Sequence, residues 1–258
     1  MTLTLTLREQ PDVPLDAEVL TPHQLVGDIA ALPLWHGKER TRVGEFFEVS
    51  GSGDDVRLEG DLSRVRYVGA GMTAGRLTVA GDVGMHAGAG MRGGELHVEG
   101  DAGDHAGARM RGGTLVVRGA AGRGLGGERM RGGEIVVHGD AGAQAGAGLR
   151  RGLIAVAGRA GEAAGLRMLA GTIVALGGVG PWAGAGMRRG SIVTTEAKPL
   201  STFTFACAYR PPYLRLYLRR LRTLGLPVSD EQLEGRYARW CGDGLELRRG
   251  EILILEDA

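Results

Sequence analysis

The chain has 258 residues, of which 47 are glycine, more than twice the usual share of about 7%. Only nine are proline, and glycine does not recur at every third position, which excludes collagen and argues against a disordered Pro- and Gly-rich chain. Because 31 basic residues nearly balance 30 acidic ones, the composition gives no electrostatic reason to expect a nucleic acid partner.

Residues 1–59 show little repetition and are predicted to form a small N-terminal cap. The first residues, MTLTLTL, alternate leucine with threonine as a strand does, and they lack the basic start and apolar run of a signal peptide. Thr21 before Pro22 predicts a helix over residues 22–32 with Thr21 as its N-cap. No apolar run approaches the ~18 residues of a membrane span, so we expect no membrane partner.

Residues 60–196 repeat with a period of 19 or 20 residues. Each unit combines regularly spaced glycines with a short strand-like run such as Thr114–Arg118, in which Leu115 and Val117 share one face and Val116 lies on the other. One position of the unit is occupied by a large apolar residue in seven successive copies: Met72, Met91, Met110, Met130, Leu149, Met168 and Met187.

A period near 20 residues is typical of a solenoid, and glycine permits the tight corners between its strands. Parallel crossover connections are right-handed in nearly all proteins. We therefore predict an all-β solenoid, a right-handed parallel β-helix of about seven coils of 19–20 residues, with small α/β caps at both ends.

Residues 197–258 are predicted to form the C-terminal cap, because the exposed end of a solenoid needs cover. One helix is expected in the run YLRLYLRRLRTL, which follows Pro211 and Pro212 and ends before Gly225. The apolar stripe of this helix would consist of Leu214, Tyr217, Leu218 and Leu221.

The two cysteines, Cys207 and Cys241, form no CxxC pair and are expected to be reduced thiols of a cytoplasmic protein. Cys207 lies in the apolar run TFTFACAY, which predicts a buried, unreactive thiol. No nucleophile motif accompanies either cysteine.

His86 and His105 occupy the same position in consecutive coils, and we expect them to stack about 5 Å apart. That spacing allows a metal between them, but no set of Asp, Glu or Cys joins the pair in the sequence, so polar corner residues are the favoured interpretation. The segment Gly88–Gly93 matches the dinucleotide pattern GxGxxG, but it belongs to the repeat and no βαβ unit surrounds it.

Two columns of charged residues also follow the repeat. Asp82, Asp101 and Asp140 are interpreted as corner residues that accept backbone hydrogen bonds, because the nine-residue calcium repeat is absent. The second column is predicted to be solvated or to contact a carboxylate-rich partner or ligand, and it contains Arg92, Arg111, Arg131, Arg150 and Arg188. We therefore expect no catalytic, cofactor-binding or metal-binding residue in this chain.

The repeated pattern GxxGxxxGxxxxxG resembles the GXGXG β-helix domain, which closes the large subunit of glutamate synthase and forms most of the C subunit of formylmethanofuran dehydrogenase. The stretch VPLDAEVLTPHQLVGDIAALPLWHGKERTRVGEFFEVSG is similar to the start of that C subunit, where it leads into the first coil. The flanking segments therefore favour the C subunit, and a glutamate-synthase-like module is a weaker alternative.

The resemblance implies a non-catalytic scaffold subunit of a one-carbon enzyme complex, with the A, B and D subunits as partners in a hetero-oligomer. In the bacterial formyltransferase/hydrolase complex, formyl passes from tetrahydromethanopterin to methanofuran and is released as formate, and the resemblance places these cofactors and zinc in other subunits. The lysine-poor, arginine-rich composition favours that complex. The alternatives are the C subunit of a tungsten or molybdenum formylmethanofuran dehydrogenase and a metal-dependent β-helix enzyme that uses His86 and His105.

Overall fold

The computed structural model describes residues 2–256 and is mostly β, with few and short helices. Its strands form one sheet of thirteen strands and a second sheet of four. The helices described within residues 2–256 all lack the length and apolar character that a membrane-spanning helix requires.

The N-terminal strand β1 (Thr2–Leu7) confirms the prediction from the MTLTLTL pattern, since its leucines are buried and its threonines are more exposed. β1 lies in the large sheet between β5 (Phe47–Gly51), which is antiparallel to it, and β6 (Asp55–Glu59), which is parallel. The small sheet and the helix that precedes β5 complete this region: β2 (Leu15–Asp16), β3 (Pro33–His36), β4 (Glu39–Arg42), α1 (Val43–Phe46) and β7 (Val65–Arg66).

The predicted helix over residues 22–32 is wrong. Only one turn follows Thr21, whose carbonyl accepts hydrogen bonds from the N–H groups of Gln24 and Leu25, while its hydroxyl caps nothing. Gly27 then adopts a φ of +73°, a left-handed conformation that ends the turn, and only a 3₁₀ turn at Ile29–Ala31 follows. A good N-cap residue therefore did not outweigh a glycine six residues later.

Each repeat adds one strand to the large sheet. These strands pair in parallel in chain order after β6. Each strand residue pairs with the equivalent residue of the next repeat, so that Ile135 pairs with Ile154 and Ile154 with Ile173. The strand-like run Thr114–Arg118 forms β10 (Gly112–Val117). The corresponding strands of the other repeats are β8 (Arg76–Ala80), β9 (Arg92–Val98), β11 (Glu134–Val137), β12 (Leu153–Val156), β13 (Thr172–Ala175) and β14 (Arg189–Thr194).

Two further columns of stacked apolar residues fill the interior of the repeat. Every member of the column from Met72 to Met187 is fully buried. A second buried column joins neighbouring repeats by parallel bridges and consists of Leu62, Val83, Ala102, Ala121, Ala141, Ala160 and Val179. The core therefore stacks similar side chains from repeat to repeat.

The C-terminal segment returns to the large sheet and changes its strand direction. β17 (Arg249–Leu255) pairs in parallel with β14, as a further repeat would. β16 (Tyr237–Gly242) is antiparallel to β17, and β15 (Thr204–Tyr209) is antiparallel to β16 and lies at the edge of the sheet. Cys207 of β15 is exposed, so the prediction of a buried thiol is wrong, because an apolar run also forms an edge strand.

The predicted amphipathic helix forms as α2 (Leu214–Thr223), and Gly225 follows it with a φ of +86°. Leu214, Leu218 and Leu221 are buried, whereas Tyr217 keeps 39% of its surface exposed. The prediction of one helix is incomplete, because α3 (Asp230–Glu234) also forms, with a capping box between Ser229 and Gln232.

Helix α2 covers the outer face of the sheet over the later repeats. Its buried leucines pack in one cluster with Val136, Ala155, Val174 and Val193, which point away from the interior columns. The strands of this region are therefore buried on both faces.

Candidate functional site

The corner that carries His86 and His105 is an aromatic stack. The two rings are 5.2 Å apart and nearly parallel, which confirms the predicted spacing. The stack begins one repeat earlier with Tyr67, whose ring lies 4.7 Å from that of His86. All three residues adopt a φ between +61° and +63°, so this corner turns through the left-handed conformation at non-glycine residues.

The geometry of this stack is not that of a metal site between the two histidines. The lone pair of an imidazole nitrogen lies in the ring plane, and the two rings differ by only 13° in orientation, so their nitrogens do not converge on a point between them. Nδ1 of His105 instead lies 3.8 Å from a carboxylate oxygen of Glu128, which Arg109 also binds at 2.7 Å. Within residues 2–256, no three His, Cys, Asp or Glu side chains are grouped to hold a metal.

Burial lowers the pKa of His86 below its usual value, and the neighbouring His105 lowers it further. The pKa of His138 is also lowered, first by burial and then by the charge of Arg118, whose guanidinium lies 3.0 Å from the ring nitrogen. These environments favour neutral imidazoles at both positions.

The aspartate column accepts backbone hydrogen bonds, as predicted. The donors lie in the next repeat: Asp82 binds the N–H of Asp101, Asp101 that of Ala120, and Asp140 that of Arg159, each at 2.7 Å. Each of these side chains therefore ties one repeat to the following one.

The segment Gly88–Gly93 leads directly into β9 and not into a helix. A dinucleotide fingerprint places the N-terminus of a helix at the phosphates, so this segment lacks that element of the motif. Its glycines serve the repeat, since Gly88 and Gly90 both adopt a positive φ.

The arginine column lies on the surface at the start of the strands. Arg188 donates to Glu246 at 2.9 Å. Within residues 2–256, Arg92, Arg111, Arg131 and Arg150 form no ion pair. The column is therefore largely free to bind water or an acidic group from outside the chain.

Two carboxylates in the C-terminal segment with several hydrogen-bond partners were not predicted from the sequence. The first, Glu251, accepts hydrogen bonds from Ser191 at 2.6 Å, Tyr213 at 2.8 Å and Arg239 at 2.7 Å. All three partners lie outside the strand that carries Glu251, so no local sequence motif indicates the cluster. The cluster joins the start of α2 to the last strands of the sheet.

Asp243 is the second of these carboxylates, and it is buried against the last repeat, where it accepts from the N–H of Gly186 at 2.9 Å. Burial opposes its ionisation, but hydrogen bonds from the N–H groups of Leu245 and Gly186 outweigh this and hold the pKa of the carboxyl below its usual value. The ionised side chain thus ties the C-terminal segment to the end of the repeat.

Comparison with known proteins agrees with this architecture. No model of a known protein family matches the chain. The chain is 38% identical over 85 residues to the C subunit of molybdenum-containing formylmethanofuran dehydrogenase 1 of Methanosarcina barkeri, over 29% of this chain and 28% of that protein. It is 38% identical over 94 residues to the C subunit of tungsten-containing formylmethanofuran dehydrogenase 2 of Methanothermobacter thermautotrophicus, over 33% of this chain and 35% of that protein. These matches thus span about a third of the curated relatives.

A solved structure matches over nearly the whole length. It is the formyltransferase/hydrolase complex of Methylorubrum extorquens, determined with methylofuran, in which one chain is 32% identical to this chain. The TM-score is 0.88, and the match covers 98% of this chain and 100% of that chain.

The internal repeat, the parallel ladder and the flanking sheet strands define a β-rich chain that is similar over nearly its whole length to a chain of a formyltransferase/hydrolase complex. The chain belongs to the family formed by the C subunits of formylmethanofuran dehydrogenases and of the related formyltransferase/hydrolase complex.

Proposed function

We propose that this chain is the non-catalytic scaffold subunit, the C subunit, of a formyltransferase/hydrolase complex. The observation that carries the proposal is the full-length similarity to a chain of the Methylorubrum extorquens complex. The A, B and D subunits are the proposed partners. In this assembly formyl passes from tetrahydromethanopterin to methanofuran and leaves as formate, and other subunits hold these cofactors and zinc.

The C subunit of a molybdenum or tungsten formylmethanofuran dehydrogenase is the second candidate, because the matching curated proteins carry that name. Those matches extend over only about a third of the chain, whereas the match to the bacterial complex extends over nearly all of it. The full-length similarity therefore favours the formyltransferase/hydrolase complex.

For the fold, we propose a right-handed parallel β-helix of about seven coils over residues 60–196, with caps formed by residues 1–59 and 197–258. The parallel register of one repeat and the second column of parallel bridges support a chain that returns to the same side once in every repeat. The right hand follows from the strong preference of parallel crossovers.

The hydrogen bonding between repeats suits a scaffold. Backbone N–H groups at corners as well as strands donate to the neighbouring repeat, such as Gly107 to Ala87 and Gly126 to Ala106, both at 2.8 Å. Stacked repeats that contact their neighbours in this way form an extended surface for binding partners.

Co-expression with the A, B and D subunits tests the proposal. We expect an affinity-tagged chain to retain all three, and the purified assembly to transfer formyl to methanofuran and release formate, while the isolated chain does neither. Molybdenum or tungsten in the assembly would favour the dehydrogenase instead. Turnover by the isolated chain that is lost in His86→Ala would contradict the scaffold role, as would failure to retain any partner.

A further inference from the structure

A pocket of about 700 Å³ opens on the surface of the last repeats. Five charged side chains line it: Arg129, Arg150, Arg167, Arg188 and Glu246. The pocket therefore gathers four guanidinium groups and one carboxylate.

The positive charge of this pocket is largely uncompensated. Glu246 pairs with Arg188, and among residues 2–256 the other three arginines form no ion pair. Nε of Arg150 is buried and has no hydrogen-bond partner. Several nearby like charges are unfavourable, and an oxyanion in the pocket would relieve their repulsion.

Two of these arginines lie at a repeat position whose backbone is left-handed, a conformation that Arg109 outside the pocket shares. Arg129 and Arg167 adopt φ values of +69° and +52° at a corner where Gly148 and Gly186 each adopt +67°. Glycine is the residue that suits this conformation, and a longer side chain there is strained. The intervening Gly148 also leaves room between the two arginine side chains.

The spacing of the arginines limits the size of the ligand. Neighbouring strands lie about 4.8 Å apart, so Arg129 and Arg167, which are two repeats apart, are separated by about 10 Å along the stack, and so are Arg150 and Arg188. Guanidinium groups bind carboxylate and phosphate oxygens through paired N–H donors. We propose that this pocket binds a small polyanion that carries at least two carboxylate or phosphate groups.

Titration calorimetry of the full-length chain tests this site with two probes, inorganic pyrophosphate and citrate, at ionic strength matched with sodium chloride. We expect saturable binding of at least one probe, with one equivalent per chain. Preference for pyrophosphate would assign a phosphate ligand, and preference for citrate a carboxylate ligand. Absence of saturable binding for both probes would overturn the proposal.

The double variant Arg129→Gly/Arg167→Gly removes two guanidiniums and introduces the residue that neighbouring repeats carry at this position. We expect it to fold and to bind at least tenfold more weakly. The matched control is Arg109→Gly, which makes the same change at the same repeat position but outside the pocket, where Arg109 contacts Glu128. Equal weakening in the control would show non-specific attraction and overturn the proposal.

Arg150→Gln is a second variant that leaves the corner backbone unchanged. It too should weaken binding while the unfolding transition stays cooperative, and an unchanged affinity would contradict the role of Arg150. The measurement needs no partner protein, so its outcome is independent of the proposed scaffold function.

Discussion

The carboxylate of Asp82 accepts a hydrogen bond from the backbone N–H of Asp101, its own counterpart in the next repeat, at 2.7 Å. Asp101 repeats the contact with Ala120, where the ladder is interrupted because the alanine side chain offers no acceptor, and Asp140 resumes it with Arg159. One side chain per repeat thus supports the corner of the following repeat, and Asp104 does the same for Arg123 from a second position.

Asp101→Ala removes the acceptor for the N–H of Ala120, and we expect it to lower the free energy of unfolding by about 1 kcal/mol. The site is exposed, so water replaces part of the contact and the loss stays modest. Urea denaturation measures the change. Asp101→Asn is the matched control: it keeps an acceptor oxygen and should lose less, and equal losses would contradict this account.

The methionine column gives a second prediction. Met110 is fully buried, so Met110→Ala leaves a cavity and should lower the free energy of unfolding by about 2–5 kcal/mol in urea denaturation. Met110→Leu should cost less than about 1.5 kcal/mol, because the column already accepts leucine at Leu149. Similar losses for both variants would show that the column is not packed as described.

The repeat explains why most of the fold was readable from the sequence. A position such as Met110 recurs once per repeat, so the periodic signal identifies buried columns, corners and strands together. The stack of His86 on His105 was predictable on the same ground, since both occupy one position of the unit.

The features that the sequence did not reveal lie where this periodicity ends. The left-handed Gly27 ends the turn that follows the N-cap residue Thr21, so no helix forms there. An apolar run such as the one around Cys207 does not indicate whether the strand lies at the edge of a sheet. The contact of Tyr213 with Glu251 joins elements 38 residues apart and follows no repeat. The sequence also did not indicate the arginine pocket, because its arginines belong to two different columns that only the packed repeats bring together.

The lowered pKa values of two histidines predict that acid destabilises the protein. Burial lowers the pKa of His86 and of His138 in the folded chain, so the unfolded chain takes up protons first as the pH falls below the usual value of about 6.5. Stability is therefore present above that pH and is lost on acidification. The urea midpoint of unfolding should therefore fall as the pH is lowered from about 8 to about 5, a range that spans the usual histidine pKa.

His86→Gln is the control for this pH dependence. Glutamine fits the corner, since Gln144 adopts the same left-handed conformation in the same column, and it does not titrate. The decline in stability on acidification should be shallower in this variant. An unchanged pH profile would mean that His86 contributes nothing to it.

Helix α2 provides a matched pair of leucines. Leu218 is buried against the outer face of the sheet, whereas Leu216, one half-turn away, keeps 71% of its surface exposed. Leu218→Ala should lower the free energy of unfolding by about 2–5 kcal/mol, because it removes packing against Val174 and its neighbours. Leu216→Ala should change it by less than about 0.5 kcal/mol. Both variants make the same change in helix propensity, so the difference between their unfolding free energies isolates the contribution of packing. If the two lose equal stability, α2 does not pack on the sheet through this face.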